Sequence, residues 1–405
     1  EYFKNYNIKE MKHFLKNQGV QALMEYQKNL QVCASLSGLF STSKVPYLHY
    51  RISEQMFCKS FDADDLSRSD IAVDVSKEAI GLGIKTFLAR SNNHSLEKVA
   101  EFNADRKIYK DLNAEKKIRK ISELRNERIN FTQNGHSLRD CLYHCIVRRD
   151  GFFDLCEEEM PFINLDKIKK VKESGPSIKF EDDQHEYNFN LSKSTLFKRF
   201  WTNNPAIRIP VEIMVDPLSV LDEILHEKGA KYGTRQEQLS MNFDTIAEQA
   251  KIVLQPEEQD FENAYLPLYG VRKQVFKKSG LNAWNAGGRD RHPDEVYIPV
   301  PAKFHRKCPG FFPTKDTRFE LMLPGRKKVS AKICSDDSKA LYSDPNEELG
   351  RWILRDVLRL RKGEILTINR LYQLGIDSVR IDKLVDGVYE MNFAAVDSYE
   401  NFIND

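Results

Sequence analysis

Several things are scarce in these 405 residues, and each scarcity removes a class of protein. No apolar run reaches the roughly 20 residues that a membrane-spanning helix needs, so no membrane segment is expected. Seven cysteines make an odd set without framework spacing, which argues against a disulfide-stapled secreted fold. Cys141 and Cys145 lie four apart beside His144, yet no second ligand pair follows at zinc-site spacing, and they read as ordinary buried thiols. An excess of one charge is missing too. The formal net charge is +2, so a role with nucleic acid must rest on local clusters. Internal repeats and low-complexity tracts are absent. Reduced thiols and the lack of a signal peptide make a cytoplasmic location the expectation. What is present, 41% hydrophobic and 30% charged residues, suits a globular chain, and its length suits two domains.

Phe14, Leu15, Val20, Leu23 and Met24 recur at helical spacing, and Val45-Pro46-Tyr47 interrupts before a second helix ending near Phe61. Strands are predicted at Ile71 to Val75 and Ile80 to Leu88, then a helix from about Leu96. A heavily charged helical run spans Asp105 to Arg128, read as a salt-bridged solvent face in preference to a phosphate-tracking helix. Further strands are predicted at Leu142 to Arg148, Ser177 to Phe180, Tyr187 to Phe189 and Ile207 to Met214. Residues 191–200 read as a helix start, and a helix is expected from Pro217 to Glu227. From about Lys228 to Glu262 the chain is polar, with one helix at Phe243 to Val253. The expected organisation is a domain over residues 1–230, a linker over 231–262 and a second domain over 263–405.

The sharpest catalytic pattern is SRSDIAVDVSKEAIGLGIKTF, residues 67–87, which holds Asp70 and Lys85. Neighbouring strands bring such a carboxylate and ammonium to one edge of a sheet. A structural ion pair uses the same two residue types. The pattern resembles the PD-(D/E)XK nucleases, and that resemblance implies an α/β core with a mixed central sheet flanked by helices. It also implies Mg²⁺ held by the carboxylate, with the lysine orienting a water beside the scissile phosphate. The chain departs from the pattern at Gly83, where the second carboxylate is usually found. Two acids could replace it: Glu54 on the preceding helix, ranked first and expected to join Asp70 on the metal, and Glu101 on the helix expected after Lys85. Asp74 is a weaker choice, because strand alternation puts it on the face of Asp70 but about 13 Å further along.

The most informative stretch is SGLNAWNAGGRDRHPDEVYIPVP, residues 279–301. A loop with Asn282, Trp284, Asn285, Gly287-Gly288, Arg289 and Arg291 runs into the alternating apolar residues Val296, Ile298 and Val300. Arg can bond guanine O6 and N7 together, and Asn can do the same for adenine N6 and N7, so such an arm suits a DNA major groove. A polar surface loop before a strand has the same composition. Residues 303–332 add nine basic residues against Asp316 and Glu320, a face that phosphate binding would reward and that a solvated strand would also present.

Together with residues 319–334, 338–358 and 375–393, this stretch resembles the C-terminal recognition domain of a family of restriction endonucleases. Other members often carry a phospholipase-D-type nuclease, and the domain is related to the B3-type DNA-binding pseudobarrel of plant transcription factors. The resemblance implies a mainly-β barrel with two arms entering the major groove. One arm would be Trp284, Asn285, Arg289 and Arg291, with the two arginines on guanine. The other would be Ser338, Lys339, Tyr342, Ser343 and Asn346, with Lys339 and the serines as phosphate anchors. Phospholipase-D chemistry needs an Asp after His-x-Lys, and Gly233 and Phe312 stand at that place after His226 and His305.

The combined expectation is an α+β chain acting as a type II restriction endonuclease on double-stranded DNA. Mg²⁺ would be its cofactor, a homodimer is an option, and a companion methyltransferase is implied by the resemblance. The alternative is a DNA-binding protein whose nuclease domain has decayed.

Overall fold

In the computed structural model, the described residues are 14–67, 71–89, 93–222, 262–288 and 290–404. Asp70, Arg289, residues 231–261 of the expected linker 231–262, and its helix 243–253 lie outside them.

The N-terminal region is built on a six-stranded sheet. Its order is β1 (Asp64–Asp65), β2 (Val75–Lys77), β3 (Ile80–Leu88), β5 (Asp140–Arg149), β6 (Phe152–Glu159) and β11 (Ile207–Pro210). The β3–β5 pair is parallel and the other pairs are antiparallel. Both central strands carry a nearly unbroken apolar run because both faces are covered. On one face, Leu82, Ile84 and Ile146 pack beneath α1 (Val20–Ser35) and α2 (Tyr50–Phe61). In α2 the buried residues Ser53, Glu54, Phe57, Ser60 and Phe61 form one helical stripe, and the helix ends at Asp62 in the left-handed region.

The opposite face meets α4 (Ala114–Gly135) and a second sheet ordered β4 (His94–Glu101), β10 (Thr195–Trp201), β9 (Glu186–Asn190), β8 (Ser177–Glu181) and β7 (Lys169–Ser174). The expected charged helix divides into the short α3 (Arg106–Tyr109) and α4, which is capped by Asn113. Its charges pair with each other, as in Lys120–Glu123 at 3.3 Å and Arg119–Glu123 at 3.6 Å.

Three expectations need correction. The segment from Leu96 is strand β4, so Glu101 stands on a strand and not on a helix. Residues 191–200 enter strand β10. There Leu196, Lys198 and Phe200 are buried in alternation, and Lys198 is hidden only because Glu158 neutralises it. A lysine on the inward row disguised the period of two. Ile71–Asp74 is irregular, and the strand begins at Val75.

The C-terminal region is one seven-stranded sheet. Its order is β12 (Glu262–Pro267), β17 (Ile376–Val385), β18 (Val388–Ala395), β14 (Arg318–Leu323), β15 (Lys327–Cys334), β16 (Ala340–Ser343) and β13 (Ile298–Pro299). It curls until the edge strands β12 and β13 approach each other, so it is a nearly closed barrel. Val296, Ile298 and Val300 all point into its core.

Helix α4 also joins the two regions. Phe131 leaves it to enter the barrel core, with its ring 4.9 Å from Phe393. Arg370 bonds Glu127 at 2.7 Å, Arg359 bonds Asn134 at 3.0 Å, and Arg326 pairs with Asp64. Truncating a buried Phe loses transfer energy and leaves a cavity, whereas a half-exposed ion pair contributes little. Phe131→Ala should therefore cost about 3–5 kcal/mol in urea unfolding, and Arg370→Ala less than about 1 kcal/mol. Equal effects would contradict this view of the joint.

Candidate active site and nucleic-acid interface

The turn between β2 and β3 decides which side chains meet. Glu78 and Ala79 form a two-residue connection with φ of 50° and 64°, the backbone of a tight hairpin turn. The register that follows pairs Val75 with Leu82. Asp74, one residue earlier, reaches the same level as Gly83 and Ile84. Its Oδ2 accepts the Ile84 N–H at 2.7 Å and lies 3.9 Å from Lys85 Nζ. Among the described residues, the carboxylate beside Lys85 is thus Asp74. Burial raises the pKa of Asp74, while Lys85 and the Ile84 N–H oppose that rise.

Glu54 faces the same cleft from α2 and is 5% exposed. Burial, and then the charge of Asp74, push its pKa up to about 7 against the pull of Arg51, which bonds it at 3.2 Å. The cleft encloses about 700 Å³. Glu97 of β4, absent from the sequence expectations, lines it as well and accepts a bond from Ser95. Glu101 is at its rim, bound by Lys98 and Asn103, and the Lys98 bond lowers its pKa. Leu374 and Gly375 close one side from the barrel.

Gly83 has a packing reason. A Cβ there would lie 3.1 Å from the Tyr143 ring and 3.2 Å from Met160, so a side chain at this place would have to push those neighbours aside by a few tenths of an ångström. Tyr143 is in turn held by buried Arg125 at 2.7 Å. Among the described residues, no three His, Cys, Asp or Glu side chains gather into a metal-sized group. Glu54 and Asp74 are a donor pair, and Mg²⁺ characteristically uses one or two carboxylates with waters and phosphate oxygens, so the pair fits such an ion. Cys141 and Cys145 are buried and unpaired, and burial raises both thiol pKa values.

The second cleft, about 980 Å³, opens between the two expected arms of the barrel. Arg291 lines it and is bonded to Glu295 at 2.6 Å. Lys339 lines it from the other arm, and the Tyr297 and Tyr342 rings meet across it at 5.2 Å. Trp284 packs half-buried against the barrel core, and Asn285 donates to the Lys277 carbonyl at 2.9 Å. The Ser338 carbonyl is 2.9 Å from His305 Nε2, and Asn346 is half-buried. Ser343, expected on the DNA, is instead fully buried: its hydroxyl donates to the Pro345 carbonyl and accepts the Leu349 N–H. The basic cluster splits in two. Arg318 and Lys332 pair with Asp344, and Lys328 pairs with Glu320, as on a solvated strand face, while Lys303 and Arg306 line the cleft.

Residues 257–384 match the model of a family described as the NgoFVII C-terminal B3-like DNA-binding domain. A search of curated proteins found no match. The C-terminal region is therefore similar to a restriction-enzyme DNA-binding domain, and DNA is the partner this likeness indicates. Among the described residues, no helix is long and apolar enough to cross a membrane.

Glu54 offers a test that needs no substrate. Its raised pKa means the folded state holds the proton more tightly than the unfolded chain does. The resulting stabilisation is complete below the ordinary value of 4.5 and is lost as pH rises to about 7. In metal-free buffer, Glu54→Gln should melt close to the wild type at pH 4.5. At pH 8 it should be more stable, by at most about 3 kcal/mol. A gap independent of pH would show that Glu54 is not protonated in this way.

Proposed function

We propose that the chain is a Mg²⁺-dependent, site-specific endonuclease of a restriction system. The C-terminal barrel would read a short DNA sequence in the major groove, and the N-terminal cleft would hydrolyse the phosphodiester. The observation that carries the proposal is the meeting of Glu54, Asp74 and Lys85 at one sheet edge, in a chain whose C-terminal region matches a restriction-enzyme DNA-binding domain.

Glu54 and Asp74 would hold the metal ion, which when bound stabilises charge on the phosphate and acidifies a water. Asp70 remains a further candidate ligand. Lys85, kept near Asp74, would orient the attacking water and stabilise the developing negative charge. Glu54, whose pKa in the metal-free protein is about 7, would give up its proton on taking up the metal. Tyr143 and Met160, crowding the place where the second carboxylate is expected, would leave the site dependent on phosphate oxygens to complete the metal's ligands. Separate reading and cutting regions suit cleavage at a distance from the site, or an enzyme that needs two sites. A homodimer and a companion methyltransferase belong to the same proposal.

A specific observation favours a second reading. With no carboxylate at residue 83, where Tyr143 and Met160 crowd the space, the barrel could serve a DNA-binding protein that does not cut. Incubating a long, sequence-diverse duplex with Mg²⁺ separates the two. The endonuclease should give discrete fragments, and Lys85→Ala or Asp74→Asn should slow their formation at least about a hundredfold. Both variants should still bind DNA. Binding to a defined sequence without any cutting by the wild type would select the second reading.

A further inference from the structure

The barrel cleft contains an arrangement that an arm merely touching phosphate would not need. Arg291 is committed at Nη1 to Glu295 Oε1, 2.6 Å away, and the Glu295 side chain is only 6% exposed. Arg291 itself lines the cleft, and its buried Nε has no hydrogen-bond partner among the described residues. Beside this pair, Tyr297 of the same arm meets Tyr342 of the other arm, their rings 5.2 Å apart and inclined at 39°. A buried carboxylate thus tethers the guanidinium within the cleft, and an aromatic pair beside it links the two arms.

A phosphate anchor is served by a point charge on a flexible stem, as Lys303 and Lys339 at the same cleft provide. Bidentate pairing to a base edge needs a fork held in one plane. An orphaned buried donor beside that fork is a group that a ligand or a water completes.

We propose that Glu295 is a positioning residue that orients Arg291 to read one guanine of the recognition sequence, with Tyr297 and Tyr342 setting the width of the cleft around it. The inference rests on the DNA-reading part of the proposed function and not on catalysis. It keeps the guanine contact that the resemblance implies for Arg291 and adds an indirect role for Glu295. Lys303, Arg306 and Lys339 contribute affinity without sequence.

The test uses the full chain and a pool of random duplexes, from which the bound sequence is selected. Competition then compares the selected duplex, a scrambled one, and copies with 7-deazaguanine at each guanine in turn. The wild type should lose about tenfold or more in affinity at one guanine that lacks N7. Glu295→Gln and Arg291→Lys should each lose a similar factor on the selected duplex and become indifferent to 7-deazaguanine at that position. Their binding to scrambled DNA should stay within about twofold, since the net charge of the arginine arm is kept or raised. The double variant should be no worse than either single one, as for two residues acting through one contact. Unaltered 7-deazaguanine sensitivity in Glu295→Gln would overturn the positioning role, as would an equal loss on selected and scrambled DNA. If the wild type selects no sequence at all, the DNA-reading proposal itself fails and this inference with it, an outcome distinct from selection that ignores Glu295. Thermal unfolding of each variant distinguishes a lost contact from a lost fold, and Arg291→Lys keeps the test open should Glu295→Gln not fold.

Discussion

The hydrogen bond from the Ile84 N–H to Asp74 is the constraint around which the N-terminal cleft is organised. A carboxylate that accepts a backbone donor of the neighbouring strand cannot drift from that strand, and Lys85 is the next residue along it. The bond exists because a two-residue turn at Glu78 and Ala79 sets the hairpin register. Glu54 then approaches from a helix that must lie over the sheet to bury Phe57 and Phe61. Two carboxylates in a half-enclosed space repel each other, and that repulsion, added to burial, holds the proton on Glu54 up to about pH 7. A divalent ion relieves the same repulsion, so the feature that strains the free site is the one that would favour a metal.

Helix α4 gives the two regions a common frame. One face supports the cleft through Arg125 and through Thr132, whose hydroxyl accepts the Ala72 N–H at 3.0 Å just ahead of Asp74. Another face sends Phe131 into the barrel. The cleft is accordingly closed in part by Leu374 and Gly375 of the barrel, and its walls come from both ends of the chain. The N-terminal cleft and the C-terminal barrel are thus joined by a packed helix as well as by the polar sequence between them.

Much of the barrel was legible in advance. The alternation of Val296, Ile298 and Val300 announces a half-buried strand, and the segments from residue 279 onward carry the resemblance that the family match supports. Individual contacts were less legible. Ser343 is chemically apt for phosphate, and nothing in its neighbours reveals that its hydroxyl closes the turn to Leu349. In the N-terminal region β3 and β5 were plain, because strands covered on both faces show long apolar runs. The partner of Lys85 was obscured by the turn: Glu78-Ala79 lacks the Asn-Gly signature of a tight hairpin, so the register that brings Asp74 level with Gly83 could not be counted. Strand β10 was hidden by the inward Lys198, and β4 by polar residues on both of its faces.

The most direct test of the central claim is a crystal of the protein with a short duplex and Mn²⁺ in place of Mg²⁺, read by anomalous scattering. The expected result is a metal peak between the carboxylates of Glu54 and Asp74, within reach of a phosphate oxygen and adjacent to Lys85. A peak bound elsewhere in a complex that cuts DNA, or DNA lying wholly outside this cleft, would contradict it.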